Sequence, residues 1–311
     1  MSARVEPFTE AHLALAAKIL AARHALHREA NRSLAPGDPT DFLRRAWQQP
    51  DVSGAVALEG RRVTAYLLAQ IRDHPIFGRC AWVGHAGHAS EDTELLRDVY
   101  AAAADAWANA GADRHYVLVP AFAAAIAPWY RLGFAHMHVE ALRPLETEAV
   151  DPPDGVRLRR GSPSDLELAE EIDLEIYRIQ ERSPSFARLT VDRDARAAEW
   201  LELDLFEDGL RYLVAEENGR TVAHALNYRP DPVLGVPADA AHLASTAVLE
   251  PARGRGIGAA MLAEIMRLAA EAGYRHLVTN WRITNLSASR FWESRGFQPI
   301  YHRLHRTLGI G

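Results

Sequence analysis

The sequence predicts two tandem α/β domains, each a mixed central sheet flanked by helices. Three observations predict it. The chain repeats itself: Arg4-Val5-Glu6 through His12-Leu13 resembles Arg157-Leu158-Arg159 through Asp165-Leu166, and Trp129 to Phe134 resembles Trp292 to Phe297. Offsets of 153 and 163 residues mean duplicated domains, not a solenoid. Within each copy, strand-like and helix-like stretches alternate. A Pro- and acid-rich stretch around Pro152, Pro153 and Gly155 reads as a linker. The expected division is 1–148, a linker at 149–155, and 156–311.

In the first copy a short strand at Arg4–Glu6 precedes one or two helices. Strands at Gly54–Glu59, Arg62–Ile71 and Arg79–Gly84 follow, then a long helix, a strand, a helix and a final strand. The second copy repeats this order, with strands at Tyr212–Glu217, Thr221–Arg229 and Ala241–Leu249. Its long helix is well marked. Ile257, Met261, Ile265, Leu268 and Ala272 recur at helical spacing, with Glu264, Arg267 and Glu271 on other faces, and Gly273 closes it.

Composition bounds the function. With 311 residues and 48% hydrophobic content, two medium cores are affordable in size. A net charge of −6 argues against a nucleic-acid partner. The charge is unevenly spread: from Arg253 onward nine Arg face three Glu, a local +6 that suits a small polyanion. Cys80 is the single cysteine, so no internal disulfide or cysteine-type zinc site forms, which fits a reducing cytoplasm. No signal-peptide pattern opens the chain. The longest uncharged run, Tyr116 to Tyr130, is 15 residues with two prolines, too short and broken for a membrane span. His24/His27 and His85/His88 lack an acidic or Cys partner to complete a metal shell, so no metal is expected.

The central motif is Arg253-Gly254-Arg255-Gly256-Ile257-Gly258, between an apolar strand and the amphipathic helix. The first turn of a helix presents unpaired N–H groups and a partial positive charge. Glycines admit a diphosphate close to the backbone, and two guanidinium groups add charge-assisted hydrogen bonds. Along the chain no acid follows until Glu264. A Walker A loop would need Gly-Lys-Ser/Thr, which is absent. A dinucleotide fingerprint would need an acid at the end of the next strand, where Val278-Thr279-Asn280 stands instead.

Residues 241–306 resemble the acetyl-CoA-dependent N-acetyltransferase (GNAT) superfamily. Arg253-x-x-Gly256-x-Gly258 is similar to its Arg/Gln-x-x-Gly-x-Gly/Ala signature. Asn285 and Ala288 resemble its Asn-x-x-Ala, and Trp292 to Phe297 its Tyr-x-x-x-Gly-Phe. The two-copy layout is similar to tandem acyltransferases of the mycothiol synthase type. The resemblance implies a mostly antiparallel sheet in each copy, with acetyl-CoA as co-substrate. It also implies that the strand ending at Val248-Leu249 splays from its neighbour, so that free backbone groups pair with the pantetheine arm. Asn285 would then contact the cofactor, cap the helix that follows, or both. Trp292, where the family often has a tyrosine acid, would pack or touch CoA, because an indole N–H does not release its proton at ordinary pH.

The first copy reads Gly84-His85-Ala86-Gly87-His88-Ala89-Ser90 at the corresponding place, and its helix opens with Glu91, Asp92 and Glu94. Those carboxylates occupy the positive helix end, so this copy is expected to bind no CoA.

Acetyl transfer to an amine needs a proton acceptor and a proton for the departing thiolate. His242 and His224, on adjacent strands, are candidate bases, with Glu216 and Glu217 nearby in sequence. Tyr301, Ser289 or water are candidate acids. Trp200, Tyr177, Tyr228 and Trp281 are candidate pocket or core aromatics. The expected activity is acetyl transfer to a primary amine of a small molecule, in a monomer or homodimer. Transfer to a peptide or protein amine, and an acyl-CoA-binding module without turnover, remain the alternatives.

Overall fold

Strand β3 (Arg62–His74) shows why the first sheet forms as it does. Its residues 63–69 are buried without interruption, the pattern of a strand covered on both faces. The computed structural model describes residues 3–74, 76–146, 150–187 and 212–309. These group into unit 1, residues 1–140, 232–236 and 298–311, and unit 2, residues 141–231 and 237–297.

In unit 1, β1 (Arg4–Pro7), β2 (Val52–Glu59), β3 and β4 (Gly78–Val83) pair antiparallel in that order. A three-residue strand β5 (His88–Ser90), absent from the sequence expectation, adds to β3. Strand β6 (Arg114–Pro120) runs parallel to β4. Helices α1 (Leu13–Ala30) and α2 (Thr40–Trp47) pack with Phe8, Leu43 and Tyr66 in one core. Helices α3 (Thr93–Asn109) and α4 (Ala123–Arg131) bring Tyr100, Trp107 and Trp129 into the other.

The two units do not follow the two halves of the sequence. The last strand, numbered β13 here (Gln298–Thr307), was expected to close the second copy. It instead pairs antiparallel with β6, from Tyr301 opposite Pro120 to Thr307 opposite Arg114. The domain ranges expected from sequence, 1–148 and 156–311, therefore differ from the observed grouping at this strand. Periodicity marks a strand but not which edge completes its ladder. Residues 232–236 also belong to unit 1, where Gly235 O accepts from the Ala35 N–H at 2.8 Å. Strand β7 (Ala135–Pro144) crosses from one unit to the other after Glu140.

In unit 2, β8 (Val156–Arg160), β9 (Tyr212–Glu217), β10 (Arg220–Tyr228) and β11 (Ala240–Val248) pair antiparallel in that order. Strand β12 (His276–Arg282) is parallel to β11. Helix α5 (Leu166–Glu181) packs on β10 and β11, and α6 (Ile257–Glu271) on β8 to β11. Of the periodic residues, Ile257, Met261, Ile265 and Leu268 are buried as the spacing predicts, whereas Ala272 is exposed, because the helix has ended and it serves as the C-cap. Gly273, at φ +88°, closes the helix. A short helix α7 (Leu286–Glu293) precedes β13. Both units are therefore mixed α/β layers. Among the described residues no helix is long and apolar enough to cross a membrane.

Candidate functional site

The parallel register of β11 and β12 runs only from Ala240 opposite His276 to Leu243 opposite Thr279. Strand β11 continues to Val248 and β12 to Arg282, so their remaining residues lie beyond the ladder. The Thr279 hydroxyl donates to Leu243 O at 3.0 Å at the vertex. The open part of β11, Ala244 to Val248, is about 16 Å long at strand rise. The ladder ends in the region where the family resemblance implies a splay.

The open strand leads into the glycine loop. Gly254 and Gly256 adopt φ +75° and +89°, where a side chain would be strained. Gly256 is the N-cap of α6, and its carbonyl accepts from Ala260 N–H at 3.1 Å. The amides of Ile257 and Gly258 precede the first intrahelical bond and keep the donor character of a helix start. No acidic residue lies in the first turn. A Cβ on Gly258 would stand 3.3 Å from the Phe291 ring, so this glycine permits the loop and α7 to approach closely.

A cavity of about 480 Å³ joins these parts. Thr246, Ala247 and Val248 line it from the open strand, Arg253, Gly254 and Gly256 to Ala259 from the loop and helix start. Ile176 and Ile179 close it from α5, while Asn285, Phe291, Trp292 and Arg295 close it from α7 and beyond. Asn285 is the N-cap of α7, its side-chain oxygen accepting from Ala288 N–H at 3.2 Å. It thus caps the helix, and it also lines the cavity. Trp292 is buried and sits edge-on to Phe291 and Phe297, 4.8 and 5.2 Å between ring centres. Leu249 ends the open strand, with its N–H donating to Val222 O at 2.9 Å.

The loop arginines are not bare cations. Arg253 donates through Nε to Val248 O and through Nη2 to Glu175, each at 2.8 Å. Arg255 donates to Glu217 at 3.0 Å and does not line the cavity. The sequence sees no acid along the chain before Glu264, but α5 and β9 bring two acids in from elsewhere in the fold. Arg178 first, and then Arg253, hold the Glu175 carboxyl below the usual carboxylate range. What the loop leaves open to an anion is therefore chiefly its backbone donors and the helix start.

The candidate catalytic residues separate. His242 is half-buried on β11, adjoining the vertex, with Asn280 Nδ2 at 3.5 Å and the Tyr228 ring 4.9 Å away. His224 is fully buried in a polar cluster that sequence reading missed. There Ser245 donates to Asp173 at 2.6 Å and lies 3.3 Å from His224 Nε2. Tyr301 belongs to unit 1, is fully buried, and donates its hydroxyl to Leu234 O at 2.8 Å. Burial raises its pKa well above the phenol range. The Ser289 hydroxyl donates to Ile283 O at 3.0 Å. Both hydroxyl protons are thus engaged by backbone carbonyls. Glu216 is tied to Arg159 and Arg157. Trp281 is core, and Tyr177 does not line the cavity. Trp200 lies outside the described residues. No cluster of three metal-ligating side chains occurs among the described residues.

Unit 1 fills the corresponding region differently. Asp92 caps α3 by accepting from the Glu94 N–H at 2.8 Å, so a carboxylate holds the helix start. The buried Arg23 of α1 donates to His88 O at 2.6 Å and also to His85 O. A side chain thus takes the backbone acceptors around Gly84–Ser90.

Residues 174–297 match the model of the acetyltransferase (GNAT) family. This segment, less than half of the chain, is similar to the acetyltransferases of that family. No curated protein matches the chain. Among solved structures, a GCN5-related N-acetyltransferase from Sphaerobacter thermophilus is 16% identical, with 98% of this chain and 95% of that one covered at a TM-score of 0.68. A tandem GNAT protein from the clavulanic acid biosynthesis pathway is 15% identical, with 99% of both chains covered at a TM-score of 0.55. A GNAT-family acetyltransferase from Colwellia psychrerythraea is 11% identical, covering 97% and 98% at a TM-score of 0.53. These likenesses carry the fold, two GNAT-like domains in tandem.

Proposed function

We propose that this chain transfers the acetyl group of acetyl-CoA to a primary amine of a small molecule, by direct attack in a ternary complex, at unit 2 alone. The observation that carries the reading is the 480 Å³ cavity running from the open strand Thr246–Val248 to the glycine start of α6. The residues fit an acyl-CoA. The Ile257 and Gly258 amides would hold the diphosphate, and space above Gly254 is open, with nothing within 4 Å of an added Cβ. Backbone groups of Ala244 to Val248 would pair with the pantetheine arm. A thioester anchored this way reaches the vertex at Leu243, next to His242.

His242 accepts the proton that the attacking amine loses as its nitrogen bonds to the acetyl carbon. The carbon–sulfur bond breaks, and the thiolate takes a proton from water. Histidine side chains titrate near neutrality and suit this exchange. Holding amine and thioester together supplies much of the remaining rate. Unit 1, with Asp92 at its helix start and Arg23 on its carbonyls, binds no CoA. We assign the reaction to the cytoplasm, with a monomer or homodimer as the working form.

A second reading is favoured by Trp292, which stands where the family often has a proton-donating tyrosine: an acyl-CoA-binding module without turnover. Thiol release from acetyl-CoA in the presence of polyamines, aminoglycosides, amino sugars and short peptides separates the two. Release with a small amine supports the enzyme. Release with peptides alone moves the acceptor to that class. Tight acetyl-CoA binding with no release across the panel supports the binding module.

A further inference from the structure

The cavity has a cationic group that the loop motif does not contain. Arg295 follows α7 and lines the cavity. Its guanidinium lies 3.8 Å from the centre of the Phe291 ring, a cation–π contact. It is held by donation from Nη1 to Phe291 O and to Ser294 Oγ, each at 3.2 Å. Phe291 in turn faces Gly258 at the helix start. Arg295 therefore stands one aromatic ring away from the place where the diphosphate would sit.

The charge around it is unbalanced. Arg253 and Arg255 each pair with a carboxylate, whereas Arg295 has no carboxylate partner among the described residues. Arg143 donates to Arg295 O, and its own acid, Glu146, is 3.5 Å away with a side chain 73% exposed. Burial, and then the Arg143 charge, lower the pKa of Arg295 below the ordinary guanidinium value. A half-buried cation beside a second cation is costly without an anion.

We propose that Arg295, with Arg143 behind it, forms a second anion-binding point of this cavity, one that takes the phosphomonoester on the ribose of CoA. The proposal rests on the acyl-CoA reading. The diphosphate accounts for the helix start, and the remaining anion of that ligand is this phosphate. Arg295 then sets the preference for CoA over its dephosphorylated form, and Phe291 fixes the guanidinium so that the fork is presented ready-made.

The test is calorimetric binding of acetyl-CoA and of acetyl-3′-dephospho-CoA to the full chain and to Arg295→Gln and Arg295→Lys. The unaltered protein should prefer acetyl-CoA by about tenfold or more, the usual scale of a charge-assisted contact. Arg295→Gln should lose that preference while its affinity for the dephospho form stays within about twofold, which also reports that the variant is folded. Arg295→Lys should keep part of the preference. Equal affinity of the unaltered protein for both ligands, or equal weakening of both by Arg295→Gln, overturns the subsite and leaves the acyl-CoA reading standing. Binding of neither ligand by the unaltered protein overturns both.

Discussion

The Arg253 guanidinium reaches back from the glycine loop to Glu175 on α5, Nη2 to carboxylate, at 2.8 Å. With its second bond to Val248 O, Arg253 ties loop, open strand and helix together. On the acyl-CoA reading, its part would be to shape the loop as much as to neutralise charge. Arg253→Gln should weaken acetyl-CoA binding about tenfold and also lower Tm, because Glu175 loses a charged partner. Glu175→Gln should lower Tm as well but leave binding equal or tighter, since it removes a negative charge beside the anion. Thermal shift with and without acetyl-CoA reads both effects.

Gly256 allows strain and charge to be separated. At φ +89° any side chain is strained. Gly256→Gln and Gly256→Glu share that strain and differ by one charge. Glutamate places a carboxylate at the positive end of α6. Its Kd for acetyl-CoA should exceed that of the Gln variant by at least about fivefold, on the scale of one helix-end charge effect. Equal Kd values would mean that the helix start does not hold the anion.

The two histidines should part kinetically. His242→Gln should lower kcat by about 10²-fold, within the usual range for losing a general base, and should remove the acidic limb of the pH profile. His224→Gln should lower Tm, because it disturbs the buried Ser245–Asp173 cluster, and leave the limb in place. A limb lost with His224 instead would reassign the base.

Much of the site was readable before any coordinates. Ile257 to Leu268 announce the helix by period, and Gly254 and Gly256 announce the loop, because local sequence dictates both. Asn285 was legible as a cap from its place before an apolar helix. What was hidden is non-local. Glu175 and Glu217 lie 78 and 38 residues from the arginines they neutralise. Tyr301 lies on a strand whose pairing with β6 no periodicity could reveal. Arg295 lines the cavity together with Phe291, four residues earlier, on whose ring it rests. The cue available was Phe291 and Arg295 at i, i+4 spacing.

Unit 1 carries several buried or half-buried histidines whose neutral form the fold favours. Burial lowers the pKa of His27 to about 3 and of His115 and His302 to about 4. In the unfolded chain each would titrate near the ordinary value of about 6.5. The stability they contribute is complete above that pH and falls as pH drops from about 6.5 toward 4, because the unfolded chain then binds the extra protons. Urea midpoints should therefore decline between pH 7 and pH 5. His27→Phe should flatten the decline, and a midpoint indifferent to pH in that window would contradict the burial account.

The central claim is one acyl-CoA site per chain, built at the start of α6 and absent from unit 1. The most direct measurement is the calorimetric stoichiometry of acetyl-CoA on the full chain. One mole bound per mole of chain is the predicted result; zero or two would contradict the claim.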